Sequence, residues 1–253
     1  PVFGRGTLGV RRGTVKLYGA RNSPTYATLS TPAGVGNTSV TLSSFASWAA
    51  GSVIAITSPH HRDQWETRVV TGSFTVGRST TFTFDKPLQY YHEGTTEVVG
   101  QLSVTIAAQV MLLSRSVRVY ADPEWAHETG AGAVVHAAAA ESNTLHVLLD
   151  NIEMHSCGQP ARASGTGSER ACVHFSGDAD LVESGATSIV IHSAFAGGFA
   201  LDGVRRVALT TSTVFNVRGH GVALLSGTTR QNSVTSLVIA VTQRNGASAQ
   251  HPA

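Results

Sequence analysis

No stretch of this chain runs through the roughly 18 consecutive apolar residues that a bilayer-crossing helix requires. The most apolar run, "GAGAVVHAAAA" (130–140), is too short and too rich in glycine. A segment built this way is not expected to insert into a membrane. Charge is also scarce. Only 13% of the 253 residues are charged, and 18 Lys and Arg against 16 Asp and Glu leave a net charge of +2. Basic residues adjoin one another only at Arg11-Arg12 and Arg205-Arg206, so there is no basic stripe to track a phosphate backbone, and no nucleic-acid partner is expected. Two cysteines are too few for a disulfide-rich mini-fold or a cysteine zinc cluster. Convincing amphipathic helical periodicity is missing, and the two-residue Asn-Gly or Asp-Gly turns that close hairpins are few.

What remains is small and β-branched. Gly occurs 26 times, and Ser, Thr, Ala and Val crowd the sequence. This composition favours a large all-β structure. "GTLGVRRGTVKLYG", "NTSVTLSSF", "GSVIAITS", "ETRVVTGSF" and "STTFTFDKPLQY" are short alternating strands. After them the style changes. Four stretches look alike: 143–158, 188–203, 206–227 and 236–248. Each opens on an aliphatic alternation: Leu145 and Val147, Ile189 and Ile191, Val207 and Leu209, Leu237 and Ile239. Repeats of about twenty residues with short strands and Gly/Asn corners describe a right-handed parallel β-helix. The alternation predicts that Ile189, Ile191, Val207, Leu209, Leu237 and Ile239 share one inward core. A two-sheet sandwich is the structural alternative, but it predicts hairpins, and turns of that kind are few.

The first residue is Pro1, without an initiator methionine or a signal-peptide pattern. A processed chain, or a piece of a longer one, is expected. Cys157 and Cys172 flank the polar loop "GQPARASGTGSERA", which suggests a disulfide formed in an oxidising compartment; two free core thiols are the alternative. Asn37-Thr38-Ser39 is a glycosylation sequon in a turn-like stretch.

"NTSVTLSSFASWAAGSVIAITSPHHRDQWETRVVTG" and "TTFTFDKPLQYYHEG" resemble the second half of a G-eight domain, and "GQLSVTIAAQVMLLSRSVRVYAD" resembles the segment that follows it. The resemblance is to the fibrocystin-like family, related to cell-surface hyaluronan-binding and hyaluronan-degrading proteins. It extends from residue 1 to about 245 and is strongest at 37–120 and 186–232. It implies the C-terminal part of a G-eight-like β domain at 1–120, leading into parallel β-helix repeats at 121–253. It also implies an extracellular, cell-surface or ciliary-surface address. The expected partners are adjacent segments of a longer chain or assembly, and extracellular polysaccharide.

The hyaluronan-degrading relatives carry a histidine-rich pattern, "VHFHxxGD", "IHHSF…ITVHG" and "FDTxGHCFFLEDG". Here "VHFSGD" keeps His174, Gly177 and Asp178, with Ser176 in place of the second histidine. "VIHSAFAGGFALDG" keeps His192 and Phe195, with Asp202 where the later histidine stands. "FNVRGHGVALLSG" keeps Phe215, Gly219 and His220, while Leu225 and Ser226 replace the acidic pair.

Polysaccharide cleavage needs a matched acid and base, or a metal held by imidazole and oxygen. The candidates for it are His174, His192, His220, Asp178 and Asp202. His174 and His192 are 18 residues apart, close to one coil, so they would stack on one wall with His220 a coil further on. The competing expectation is a polar stack of hydrogen-bonded side chains. Loss of the acidic pair and of two histidines favours the polar stack. The resulting expectation is a non-catalytic structural and interaction segment without cofactor or bound metal. A polysaccharide depolymerase or a carbohydrate-binding module is the alternative. His60, His61 and Asp63 in "PHHRDQW" are expected in a solvated loop, His92 in a turn, and Trp48 and Trp65 in packing.

Overall fold

The computed structural model describes residues 6–61, 63–139, 145–161 and 169–243. It is all-β. The chain divides into two compact units, residues 1–20 with 115–253 and residues 21–114.

Among the described residues, the first unit is a parallel β-helix of five coils and three sheets. The first coil is Thr7–Val10, Gly13–Tyr18 and Val117–Tyr120; the second is Val134–Ala138, Leu145–Asp150 and Ile152–His155. The third is Val173–Ser176, Gly185–Thr187 and Val190–Ala194; the fourth is Phe199–Asp202, Ala208–Thr210 and Thr213–Arg218. The fifth is Val222–Leu224, Ser233–Thr235 and Val238–Gln243. Each strand pairs in parallel with the corresponding strand of the next coil. Alternate residues therefore stack inward in rows. Val135, Val173, Phe199 and Val222 form one row, and Val119, Met154, Ile191, Val214 and Ile239 another.

Two expectations change here. A boundary near residue 120 was expected, with residues 1–20 in the first domain. Instead, Thr7–Val10 and Gly13–Tyr18 pair with the second coil, so residues 21–114 are an insertion within the first coil. Alternation identified these strands, but it carries no information about a partner more than a hundred residues away. Second, the look-alike stretches are not successive copies in one phase. Ile191 pairs with Val214 in the third sheet, whereas Leu209 pairs with Ala186 and Val234 in the second. The spacing between equivalent residues is 23 from Ile191 to Val214 and 25 from Val214 to Ile239, longer than the expected twenty. Ile189, Ile191, Val207 and Leu209 are buried and Leu237 packs against the core. Ile239 continues its row but is 46% exposed, because it lies in the last described coil.

Corners between the second and third sheets use left-handed residues at equivalent places. Asn151, Ser188, Thr211 and Ser236 all have φ between 50° and 53°. Asn tolerates this region best, and its recurrence coil after coil marks a shared corner geometry. The helix Pro123–Thr129 was not foreseen, since seven residues carry no clear amphipathic pattern. Its termini are well specified. Asp122 accepts from the Trp125 N–H at 3.0 Å, Pro123 begins the first turn, and Gly130 closes it at φ 61°.

Cys157 and Cys172 form a disulfide with Cα atoms 5.1 Å apart, closing a span of 15 residues. The bridge is expected to contribute about 3 kcal/mol through the unfolded chain. Intact-mass analysis with alkylation tests it. Two reactive thiols in the unreduced native protein would refute it.

The 21–114 unit contains a six-stranded antiparallel sheet, in the order Tyr26–Thr28, Gln109–Leu112, Val53–Ile56, Glu66–Val76, Ser79–Phe84, Ser39–Thr41, and a separate hairpin, Gly94–Val99 with Leu102–Ala107. Its core gathers Leu29, Leu42, Ile54, Ile56, Phe82 and Val110. Trp48 stacks on Phe82 at 5.0 Å and donates its indole N–H to the Pro24 carbonyl at 2.7 Å. Trp65 is also buried, so both tryptophans pack as expected.

Candidate functional site

In the first sheet Val173 and Phe175 face the core, which puts His174 on the outward face of its strand. Its row is Gly9, His136, His174, Ala200 and Ala223. Small neighbours above and below leave room for the two imidazoles to stack, with ring centres 4.7 Å apart and planes 19° from parallel. The Nε2 of His136 lies 2.7 Å from the Ser176 hydroxyl. His174 is only 7% exposed, and neither of its ring nitrogens has a hydrogen-bond partner among the described residues. Burial pushes the His136 imidazole down to about 4, and the neighbouring His174 and Arg170 push the same way. Burial also lowers His174; Asp202 opposes the shift and Arg170 reinforces it. This is a neutral, stacked pair at ordinary pH.

A second row lies outward on the third sheet. Tyr120 stacks on His155 at 4.8 Å, and His155 stacks on His192 at 5.5 Å. Two residues before His155, Glu153 faces the same way and is buried. Its carboxylate accepts from the Arg115 backbone N–H at 2.9 Å and lies 3.2 Å from both Arg118 Nε and His192 Nε2. Burial alone would raise its pKa, but the bonds from His192 and Arg115, with the Arg118 charge, hold it below the ordinary carboxylate range. Burial brings the Arg115 guanidinium down to about 10 despite the Glu153 charge beside it. The Arg115 Nε donates to the Ser188 carbonyl at 3.3 Å. Chemically this is a satisfied anion site with its own cations, not a carboxyl awaiting a substrate proton.

The expected wall of His174, His192 and His220 does not form. A full coil takes 23 to 25 residues where it is regular, so a step of 18 residues moves from the first sheet to the third. His174 and His192 therefore belong to separate rows, and His220 is exposed after the fourth coil's last strand. Asp178 pairs with Arg205 at 2.5 Å, and Asp180 pairs with Arg205 at 2.7 Å and Arg206 at 2.5 Å. Only Asp202 keeps company with His174, opposite Ser176 in the register. Among the described residues, no three His, Cys, Asp or Glu side chains are grouped to hold a metal ion.

Sequence reasoning missed His136, His155, Tyr120 and Glu153. A signal existed. Val135-His136-Ala137 matches Val173-His174-Phe175, and "NIEMHS" (151–156) matches "SIVIHS" (188–193). Comparing coil with coil would have paired those histidines.

His60 and His61 are exposed in their loop, as expected, with His60 3.7 Å from Glu93. His92 is different from its expectation. It is fully buried, with Nε2 2.7 Å from Glu66 Oε1 and Nδ1 2.8 Å from the Thr57 carbonyl. Glu66 also accepts from the Arg68 guanidinium and from the Gln89 and Tyr90 backbone N–H groups at 2.9 and 3.1 Å. This is a buried ionic pin, assembled from residues far apart in sequence.

No family profile matches the chain. It is 34% identical to mouse Fibrocystin-L over 123 residues, 47% of this chain and 3% of that protein. It is 25% identical to mouse Fibrocystin over 221 residues, 86% of this chain and 5% of that protein. A G8 domain-containing protein of Dictyostelium discoideum is 23% identical over 223 residues, 88% of this chain and 15% of that protein. The chain thus resembles fibrocystin, fibrocystin-L and a G8 protein while spanning at most 15% of their lengths. Solved structures similar to it include the tailspike gp49 of Pseudomonas phage LKA1, at TM-score 0.27 and 12% identity over 87% of this chain and 42% of that one. Another is the Gp54 tailspike of Acinetobacter baumannii phage AP22 in complex with capsular saccharide, at TM-score 0.29 and 10% identity over 91% of this chain and 40% of that one.

Proposed function

We propose that this chain is a non-catalytic structural and interaction segment of a large extracellular or cell-surface protein of the fibrocystin type. The 21–114 unit is read as part of a G-eight-like domain, and the coils as a spacer whose walls meet neighbouring segments. One observation carries the reading. Three of the acids on the coils are already paired with the chain's own cations, Glu153 with Arg118 and its other donors, Asp178 and Asp180 with Arg205 and Arg206; Asp202 stands outside these pairs. A general acid or base must instead be free to exchange its proton with substrate. The disulfide and the exposed sequon at Asn37 support an oxidising, extracellular address.

The competing reading is a polysaccharide depolymerase or carbohydrate-binding module. It draws on His174, which matches part of the resembling enzymes' pattern, with Asp202 in place of that pattern's later histidine. The purified chain incubated with hyaluronan, with and without divalent metal ions, is expected to leave polymer length unchanged. Depolymerisation that disappears in His174→Ala would move the enzyme reading to first place.

A further inference from the structure

We propose that the strand Leu102–Ala107 pairs edge to edge with the same strand of a second copy of this chain, antiparallel about a two-fold axis through Val104. The outer strands of the six-stranded sheet offer no such edge. Tyr26–Thr28 and Ser39–Thr41 close on each other through the Leu29–Leu42 bridge, with Ser30 N–H donating to Thr41 O and Ser43 N–H to Thr28 O, both at 2.9 Å. The hairpin of Gly94–Val99 with Leu102–Ala107 instead stands as a sheet of two strands, paired without a bulge from Gly94 opposite Ala107 to Val99 opposite Leu102. Two strands alone are marginally stable in water and leave both edges unpaired.

The bonding phase of the hairpin fixes which backbone groups are free. At its base Ala108 N–H donates to Glu93 O at 2.7 Å, and at its tip the Gly100-Gln101 turn closes on Val99 and Leu102. Stepping by twos between these points, Leu102, Val104 and Ile106 exchange backbone bonds with the first strand. Ser103 and Thr105 therefore turn their N–H and C=O groups to the open edge. About an axis through Val104, Ser103 of each copy meets Thr105 of the other and exchanges both bonds with it. The two valines face each other as a non-hydrogen-bonded pair, the phase in which side chains approach most closely. Val99, Leu102 and Val104 are 63%, 71% and 45% exposed and share one face with Ile106, so pairing packs the flanks of these apolar side chains against their copies.

Charge selects both the strand and its occupant. Leu102–Ala107 contains no charged residue and no proline, the devices that commonly protect an edge. Gly94–Val99 carries Glu97, and self-pairing there would bring two carboxylates together near the axis. Across an axis through Val104, Leu102 meets Ile106, Ser103 meets Thr105 and valine meets valine. Apolar faces apolar and hydroxyl faces hydroxyl at each position, so the strand is complementary to itself. The contact is small. One strand edge buries less than the roughly 800 Å² per partner of a standard interface, so the dimer is weak and depends on concentration.

Equilibrium sedimentation of the intact chain is expected to show a mass that rises with concentration towards two chains and no further. S103P removes an edge N–H that the hairpin itself does not use, once in each copy, and is expected to weaken association by about tenfold or more. V104C is expected to form a covalent dimer under mild oxidation, because its Cα atoms would lie about 4.5 Å apart across the axis, within disulfide reach. V98C, exposed on the other strand, is expected to remain a single chain. A single-chain mass at concentrations up to about 1 mM would leave the edge to a different strand and overturn the proposal. So would growth beyond two chains, association unchanged in S103P, or V98C linking as fast as V104C. If S103P does not fold, the two cysteine variants decide.

Discussion

His92→Ala is expected to destabilise the 21–114 unit by about 3–5 kcal/mol, the usual cost of truncating a buried aromatic side chain, here with a hydrogen bond to a carboxylate lost as well. The imidazole sits between the Thr57 carbonyl and Glu66, and it is fully buried. Removing it leaves the Glu66 carboxylate with one donor fewer and the Thr57 carbonyl without this bond. Water cannot replace the ring without opening the core. Burial alone would raise the Glu66 pKa; His92, the Gln89 and Tyr90 N–H groups and Arg68 more than offset that and hold it below the ordinary 4.5. The carboxylate's contribution is therefore present above about pH 4.5 and is lost as acid protonates it. Urea denaturation followed by tryptophan fluorescence reads the effect, with Trp125→Phe removing the signal of the other unit. Trp48 and Trp65 then report residues 21–114 alone. A loss below about 1 kcal/mol, the scale of one neutral hydrogen bond, would show that the pin is solvated and the buried geometry wrong.

Ile191→Asp is expected to abolish folding of the β-helix. Ile191 is fully buried between Met154 and Val214, in the middle of an inward row. An aspartate there would be an unpaired charge in an aliphatic stack, costing several kcal/mol beyond the lost burial. That is comparable to the whole stability of an ordinary domain. Ile191→Val, which removes one methylene, should cost only about 0.5–1.5 kcal/mol and provides a folded reference. The contrast is Ile239→Asp. It continues the same row but is half exposed, and the charge can reach water. Circular dichroism and thermal melts of the three variants distinguish these cases. An Ile191→Asp protein that melts like the parent would place Ile191 on the surface and break the register. An Ile239→Asp protein that fails like Ile191→Asp would mean that the last described coil is covered.

Several elements were legible before any coordinates. The alternation in Leu145–Asp150, Val190–Ala194 and Ala208–Thr210 marked strands, and the polar loop between Cys157 and Cys172 marked a bridge. The inward burial of Ile189, Ile191, Val207 and Leu209 follows from that alternation alone. The histidines were legible as unusual residues in apolar strands, but not as pairs. His174 was expected to meet His192 and meets His136; His92 was expected in a turn and is the centre of an ionic pin.

The division has a physical basis. The sequence by itself determined which side of a strand each residue occupies, because a pleat repeats every two residues and needs no knowledge of the rest of the chain. For the look-alike stretches after residue 143 it also pointed to parallel coils, because repeated apolar alternation with few hairpin turns leaves few other ways to bury those faces. Only the tertiary structure decided which outward residues meet. That depends on how many residues close a full coil, and the count varies with each loop and with a 94-residue insertion, residues 21–114, in the first coil. It decided the Glu66 pin as well, since a charge inside a core survives only where distant backbone groups converge on it, and no local pattern records that convergence.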